Sequence, residues 1–271
     1  MNLKRIAATS AAGLASVTLA VGAVGTAGAA GSLAGLGSSG ALGSAGAPGT
    51  SCGTTVVTPD TPGLWSTPGD EHGPGFAEVE GAPLGTGALT LENNSQGTSF
   101  YRTVGAPLAD LVDDSGTLTD IAYDYTATNE ATPAASNTPA LQLRVTGAST
   151  VDESGVHFAT IVWSPAPSEG EWTTATPGDS DQFWVTRDIV DDAGEVVLAR
   201  GAKTTLAQIV ELNPDATLEQ IGIQQTKENQ STDVAVDNFV FGCEVTDFEL
   251  TGADAGGSLA GLFGSLGSLG N

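Results

Sequence analysis

Apolar and polar residues alternate with a period of two along much of this chain. In "LQLRV", Leu141, Leu143 and Val145 fall on one side, and Gln142 and Arg144 on the other. In "TDIAYDY", Ile121, Tyr123 and Tyr125 oppose Asp120, Ala122 and Asp124. A two-residue period marks a strand with one covered face. Further candidate strands are 54–58, 76–80, 87–92, 98–104, 158–164, 171–175, 183–189, 195–200, 218–224 and 233–243, separated by clusters of Gly, Pro, Asp, Asn and Ser. Many short strands at this spacing predict an all-β fold, a two-sheet β-sandwich or jelly roll. The last candidate lies in "STDVAVDNFVFGCEV". Alternation there puts Ala235, Asp237, Phe239, Phe241 and Cys243 on one face and Val234, Val236 and Val240 on the other. Apolar residues on both faces predict a well-covered closing strand. Its polar step, Asp237-Asn238, is either a hydrogen-bonded bend or one corner of a cation site.

One segment breaks the period. In "TTLAQIVELNP", Thr205 is placed to cap a helix, with Gln208 three residues on. Leu206, Ile209 and Val210 form a short apolar stripe that Pro214 ends. A single short crossover helix is expected.

The ends differ from the middle. Lys4 and Arg5 precede an apolar run, Ile6 to Gly25, and Ala27-Gly28-Ala29 follows as a small-x-small step. This predicts an export signal over 1–30 and a secreted product, extracellular or associated with the cell envelope. Residues 31–51 read as a flexible Gly/Ala/Ser-rich linker, 52–245 as the β-sandwich domain and 246–271 as a Gly/Ser/Leu-rich tail. The hexapeptide "GSLAGL" occurs at 31–36 and again at 257–262. No other run reaches the ~20 apolar residues of a membrane-spanning helix, so no span is expected after signal cleavage.

Charge narrows the partners. The chain carries 32 acidic and eight basic residues, two of the latter in the signal. Nucleic acid, which needs a basic stripe, is an unsuitable partner. The two cysteines, Cys52 and Cys243, bracket the central domain. In an oxidising compartment such a pair predicts one disulfide.

Enzyme signatures are mostly missing. The chain has no His-Glu-x-x-His helix and no Gly-x-Ser-x-Gly elbow. "DEHGPG" (Asp70, Glu71, His72) reads as a surface loop. The acidic clusters at Asp110, Asp113 and Asp114, and at Asp188, Asp191, Asp192 and Glu195, sit beside Gly and read as turns. Two suitably spaced carboxylates are enough for glycoside hydrolysis. A hydrolase therefore stays as an alternative without a named site.

Sugars offer apolar C–H faces to aromatic rings and hydroxyls to amide and charged side chains. In "FWVTRD", Trp184 shares a face with Thr186 and Asp188, a mixed surface suited to a ligand. Gln142 and Arg144 project from the polar side of their strand. Trp184, Gln142 and Arg144 are the candidate ligand-binding residues. Trp163, Tyr123 and Tyr125 alternate with isoleucines and are assigned to the core.

The ordered series "GALTLEN", "PLADLVD", "IAYDY", "PALQLRV", "IVWSPAP", "ELNPDATLEQIGIQQ" and "VAVDNFVFG" covers most of residues 76–243. It resembles secreted actinobacterial β-jelly-roll proteins similar to carbohydrate-binding modules. The resemblance implies glycan binding without catalysis. It also implies a structural calcium near the last strand, with Asp237 as a ligand and Glu78 or Glu80 of "FAEVEG" as partners. Calcium needs six or more oxygens, so the alternative is that Asp237 accepts only backbone hydrogen bonds. The leading expectation is a secreted protein that binds a polysaccharide or cell-envelope glycan. The second is a structural or adhesive envelope protein acting through its Gly/Leu-rich tails.

Overall fold

The structure is a computed structural model that describes residues 53–69, 71–92, 97–113, 116–128, 138–150, 157–168, 170–225 and 232–252. The expected export signal, the linker, Cys52 and most of the C-terminal tail lie outside the described residues. The central segment is an all-β sandwich with one short helix.

The strands are β1 (Gly53–Val57), β2 (Trp65–Ser66), β3 (Gly75–Glu78), β4 (Gly87–Thr90), β5 (Thr98–Pro107), β6 (Ile121–Thr128), β7 (Ala140–Thr146) and β8 (Phe158–Trp163). They continue as β9 (Thr173–Ala175), β10 (Phe183–Val185), β11 (Ile189–Val190), β12 (Val196–Leu198), β13 (Lys203–Thr204), β14 (Thr217–Gln225), β15 (Thr232–Phe241) and β16 (Glu244–Phe248). The helix α1 spans Leu206–Glu211 between β13 and β14. Thr205 caps it and accepts from the Gln208 amide, as its sequence predicts. The Gln208 side chain accepts from the Thr204 hydroxyl instead of turning back to the cap.

Two seven-stranded sheets face each other. The second runs β13-β10-β8-β7-β14-β5-β2. In the first, β15 is flanked along one edge by β6, which continues to β9. Its other edge is shared by β4 at Ala235 and Val236 and by β16 from Phe239 to Phe241. Strand β1 adds to β16 in parallel, and β3 adds to β4. Strands β11 and β12 form a separate hairpin, and Asp191 accepts the Ala193 and Glu195 amides at its turn.

The core lies between the inward faces. Leu141, Leu143 and Val145 of β7 are buried there, with Ile161 and Trp163 of β8 and Ile121, Tyr123 and Tyr125 of β6. Trp65 is the hub of an aromatic cluster. It stacks on Phe100 at 5.4 Å between ring centroids and meets Phe239 and Phe248 edge-on at 5.1 and 5.0 Å. Such pairs contribute about 0.5–1.5 kcal/mol each beyond area burial. Trp65 sits on a two-residue strand too short to register as a periodic pattern. Phe248 lies beyond the expected domain boundary at Val245, because β16 is needed to complete the first sheet.

Strict alternation fails at the closing strand. Val234, Val236 and Phe239 all face the core. A bulge shifts the register between Asp237 and Val240, and Asn238 holds φ at +50°. One extra residue reverses the parity, so the face shared by Ala235 and Phe239 in the sequence pattern is split.

Candidate functional site

The three predicted ligand residues share the outer face of the second sheet. One row of partners crosses it in register: Ser66, Tyr101, Gly222, Gln142, Val162, Trp184 and Lys203, one from each strand from β2 to β13. Arg144 lies two residues along β7, between Gln220 of β14 and Thr160 of β8. Two-residue periodicity in β7 puts Gln142 and Arg144 on this face because Leu141, Leu143 and Val145 occupy the core.

Gln142 does not present a free amide. It is 6 % exposed, its Oε1 accepts the Tyr101 hydroxyl at 2.7 Å, and its Nε2 donates to Gln224. Gln224 in turn donates to Glu71 Oε2 at 2.7 Å. These four side chains form a ladder over β5, β14 and β7, anchored at the Glu71 carboxylate. Gly222 makes the ladder feasible. A Cβ there would stand 2.8 Å from Tyr101 Cδ1 and 2.1 Å from the Phe100 carbonyl oxygen. Without one, the Tyr101 ring crosses the strand and reaches Gln142.

Arg144 stacks on that fixed ring. Its guanidinium carbon is 5.2 Å from the Tyr101 centroid and 5.3 Å from that of Phe158. Arg187, just beyond β10, places its guanidinium 5.9 Å from the same Phe158 ring. All three are cation–π distances. Trp184 is half-buried and Lys203, its partner in the row, is exposed. The face therefore combines a partly open indole, stacked cations and a hydrogen-bonded polar ladder. Glu71, Tyr101, Gln224 and Phe158 are the members that the sequence reading missed. Glu71 and Tyr101 come from segments far from β7, and only sheet register brings them together.

The predicted calcium residues are arranged differently. Asp237 is fully buried on the outer side of the first sheet. Its Oδ1 accepts the Phe248 amide at 3.0 Å and its Oδ2 accepts the Leu84 amide at 2.9 Å. The Asn238 amide also donates to it. Glu78 and Glu80 are exposed and line a shallow cleft with Val79, Gly81, Ala82, Gly85 and Thr86. Among the described residues no three acidic, His or Cys side chains converge as a metal site. Each Asp237 oxygen accepts a backbone N–H group, the arrangement of a hydrogen-bonded bend. Asn238 completes it by donating to Asp124 Oδ2 at 2.7 Å.

The bend is a junction of strands. Asp237 lies where β4 gives way to β16 along the edge of β15. Glu249 accepts the Thr86 and Gly87 amides, each at 2.9 Å, and joins the start of β4 to the end of β16. Burial pushes the Asp237 carboxyl above the usual aspartate range, against the lowering effect of its amide donors. Asp247 is raised to about 6, first by burial and then by repulsion from Asp237 and Glu249.

Compared with protein families, with characterised proteins and with solved structures, the chain matches none.

Proposed function

We propose that this is a secreted, non-catalytic β-sandwich protein that binds a polysaccharide or cell-envelope glycan on the outer face of its second sheet. One observation carries the reading: Trp184 and Arg144 share that face, and Gln142 locks the ring on which Arg144 stacks. Trp184 would stack on a sugar ring, since apolar C–H faces and indoles are complementary. Arg144 would meet the sugar's oxygens. Gln142 acts as a positioning residue, because both ends of its amide are already engaged.

Export fits the sequence pattern of residues 1–30. A Cys52–Cys243 disulfide belongs to the same reading. Cys243 sits in the turn between β15 and β16, and β1 pairs with β16 in parallel from Gly53 opposite Glu244.

Retention of the protein on a panel of insoluble glycans and cell walls tests the function. Binding to at least one, weakened about tenfold or more in Trp184→Ala, is the expected result. Absence of retention across the panel overturns the proposal.

A further inference from the structure

We infer that the glycan is anionic, and that Arg144 receives its carboxylate or phosphate oxygens. This inference rests on the glycan-binding reading above. It starts from a contrast between two arginines in one strongly acidic protein. Arg102 is buried, lies 5.6 Å from the Phe241 ring centroid, and is neutralised by Glu244 at 2.5 Å. Arg144 has the aromatic company without the carboxylate. Its Nη1 is buried and makes no hydrogen bond, and it has no ion pair among the described residues. A guanidinium keeps its charge at any ordinary pH and has only donors. Leaving a charged donor covered and unpaired is costly.

The fold nevertheless invests in holding that cation. Tyr101 and Phe158 flank it. The hydroxyl of Tyr101 is fixed through Gln142 and Gln224 to Glu71. Lys203 brings further positive charge to the same side of the sheet, beside Trp184, and Arg187 stacks on Phe158 there. The chain has only eight basic residues against 32 acids. On this side of the sheet the cations stand beside the carboxylates of Glu71 and Glu219, which are held by Gln224 and Thr146. Exposed acids elsewhere on the protein act weakly there, because charges more than about 8 Å apart are largely screened at physiological salt. Arg144 as a whole is only partly buried, and a carboxylate or phosphate accepting from its open N–H groups through charge-assisted bonds would neutralise the unpaired cation. Trp184 would stack on the same or a neighbouring sugar.

The test uses the full chain and three polymers: a polyuronate, the same polymer with its carboxyls reduced to alcohols, and a phosphate-bearing wall teichoic acid. Arg144→Gln, Arg144→Lys, Trp184→Ala and the charge control Arg200→Gln are compared with wild type. Wild type should hold at least one anionic polymer about tenfold more tightly than the reduced one. Arg144→Gln should erase that preference, and Arg200→Gln should keep it. If Arg144→Gln does not fold, Arg144→Lys is read instead, with a smaller loss expected. The polyuronate and teichoic acid arms distinguish a carboxylate from a phosphate. Equal binding of native and reduced polymers, lost in Trp184→Ala, overturns the anionic inference and leaves glycan binding standing. An anionic preference that persists in Arg144→Gln overturns the role of Arg144. No binding to any of the three polymers overturns the anionic inference; the broader panel then decides glycan binding.

Discussion

The ring of Tyr101 lies across Gly222, with no space for a side chain between them. That absence of a Cβ links the backbone of β14 to the polar face of the sheet. It lets the Tyr101 hydroxyl reach Gln142, and it fixes the ring against which Arg144 stacks. Gly222→Val should displace Tyr101 and overpack the sheet, at a cost of about 3 kcal/mol. Thermal or denaturant unfolding measures the loss. A variant as stable as wild type would show that both the ring and the β5 backbone at Phe100 and Tyr101 give way.

Asp237 joins three chain segments through the amides of Leu84, Phe248 and Asn238. Asp237→Ala leaves buried N–H groups without their acceptor. The expected loss is on the order of 3 kcal/mol, since each unsatisfied buried group costs about 1–3 kcal/mol. Adding a chelator to the wild type tests the role of the residue. As a structural acceptor, Asp237 gives the wild type an unfolding midpoint that is indifferent to chelator. A midpoint that drops on adding chelator would instead point to a bound cation.

The carboxyl of Asp247 is raised to about 6 from an ordinary value of 3.8. The folded state thus holds its proton more tightly than the unfolded chain does. The stability linked to this group is full below about pH 4 and is lost as pH rises through about 6. Asp247→Asn keeps the uncharged form at every pH. Its midpoint relative to wild type should therefore rise between pH 4 and pH 7. A difference that does not vary with pH would mean that Asp247 titrates normally.

Reduction tests the cysteine pairing. Closing a loop of this length stabilises a fold by about 5 kcal/mol in the chain-entropy description. The unreduced protein should resist thiol alkylation under denaturing conditions. The reduced protein should take two labels and unfold at a lower temperature. Immediate labelling without reductant would refute the bridge.

Two-residue periodicity made most of this fold legible before any coordinates. The inward residues of β6, β7 and β8 are those that alternation assigns, and the cap at Thr205 follows from local chemistry. Strands β2 and β13 were not legible, because two residues cannot show a period. Trp65 is a core hub only because Phe100, Phe239 and Phe248 are brought to it from other strands. The polar side of β7 was readable as polar. That Gln142 is committed to Tyr101 and Gln224 was not, since those partners depend on sheet register.

The sequence alone determined the all-β character, the candidate face residues Trp184, Gln142 and Arg144, and the polar anomaly at Asp237-Asn238. Those properties are local: side-chain alternation, turn residues and capping act within a few positions of the chain. Only the tertiary structure decided that Asp237 accepts backbone amides and that Arg144 is stacked on Tyr101 and Phe158 with no ion pair among the described residues. A carboxylate in a strand is equally compatible with a cation or an N–H donor. The choice is made by whichever groups the neighbouring strands deliver, and at Asp237 the ends of β4 and β16 deliver amides.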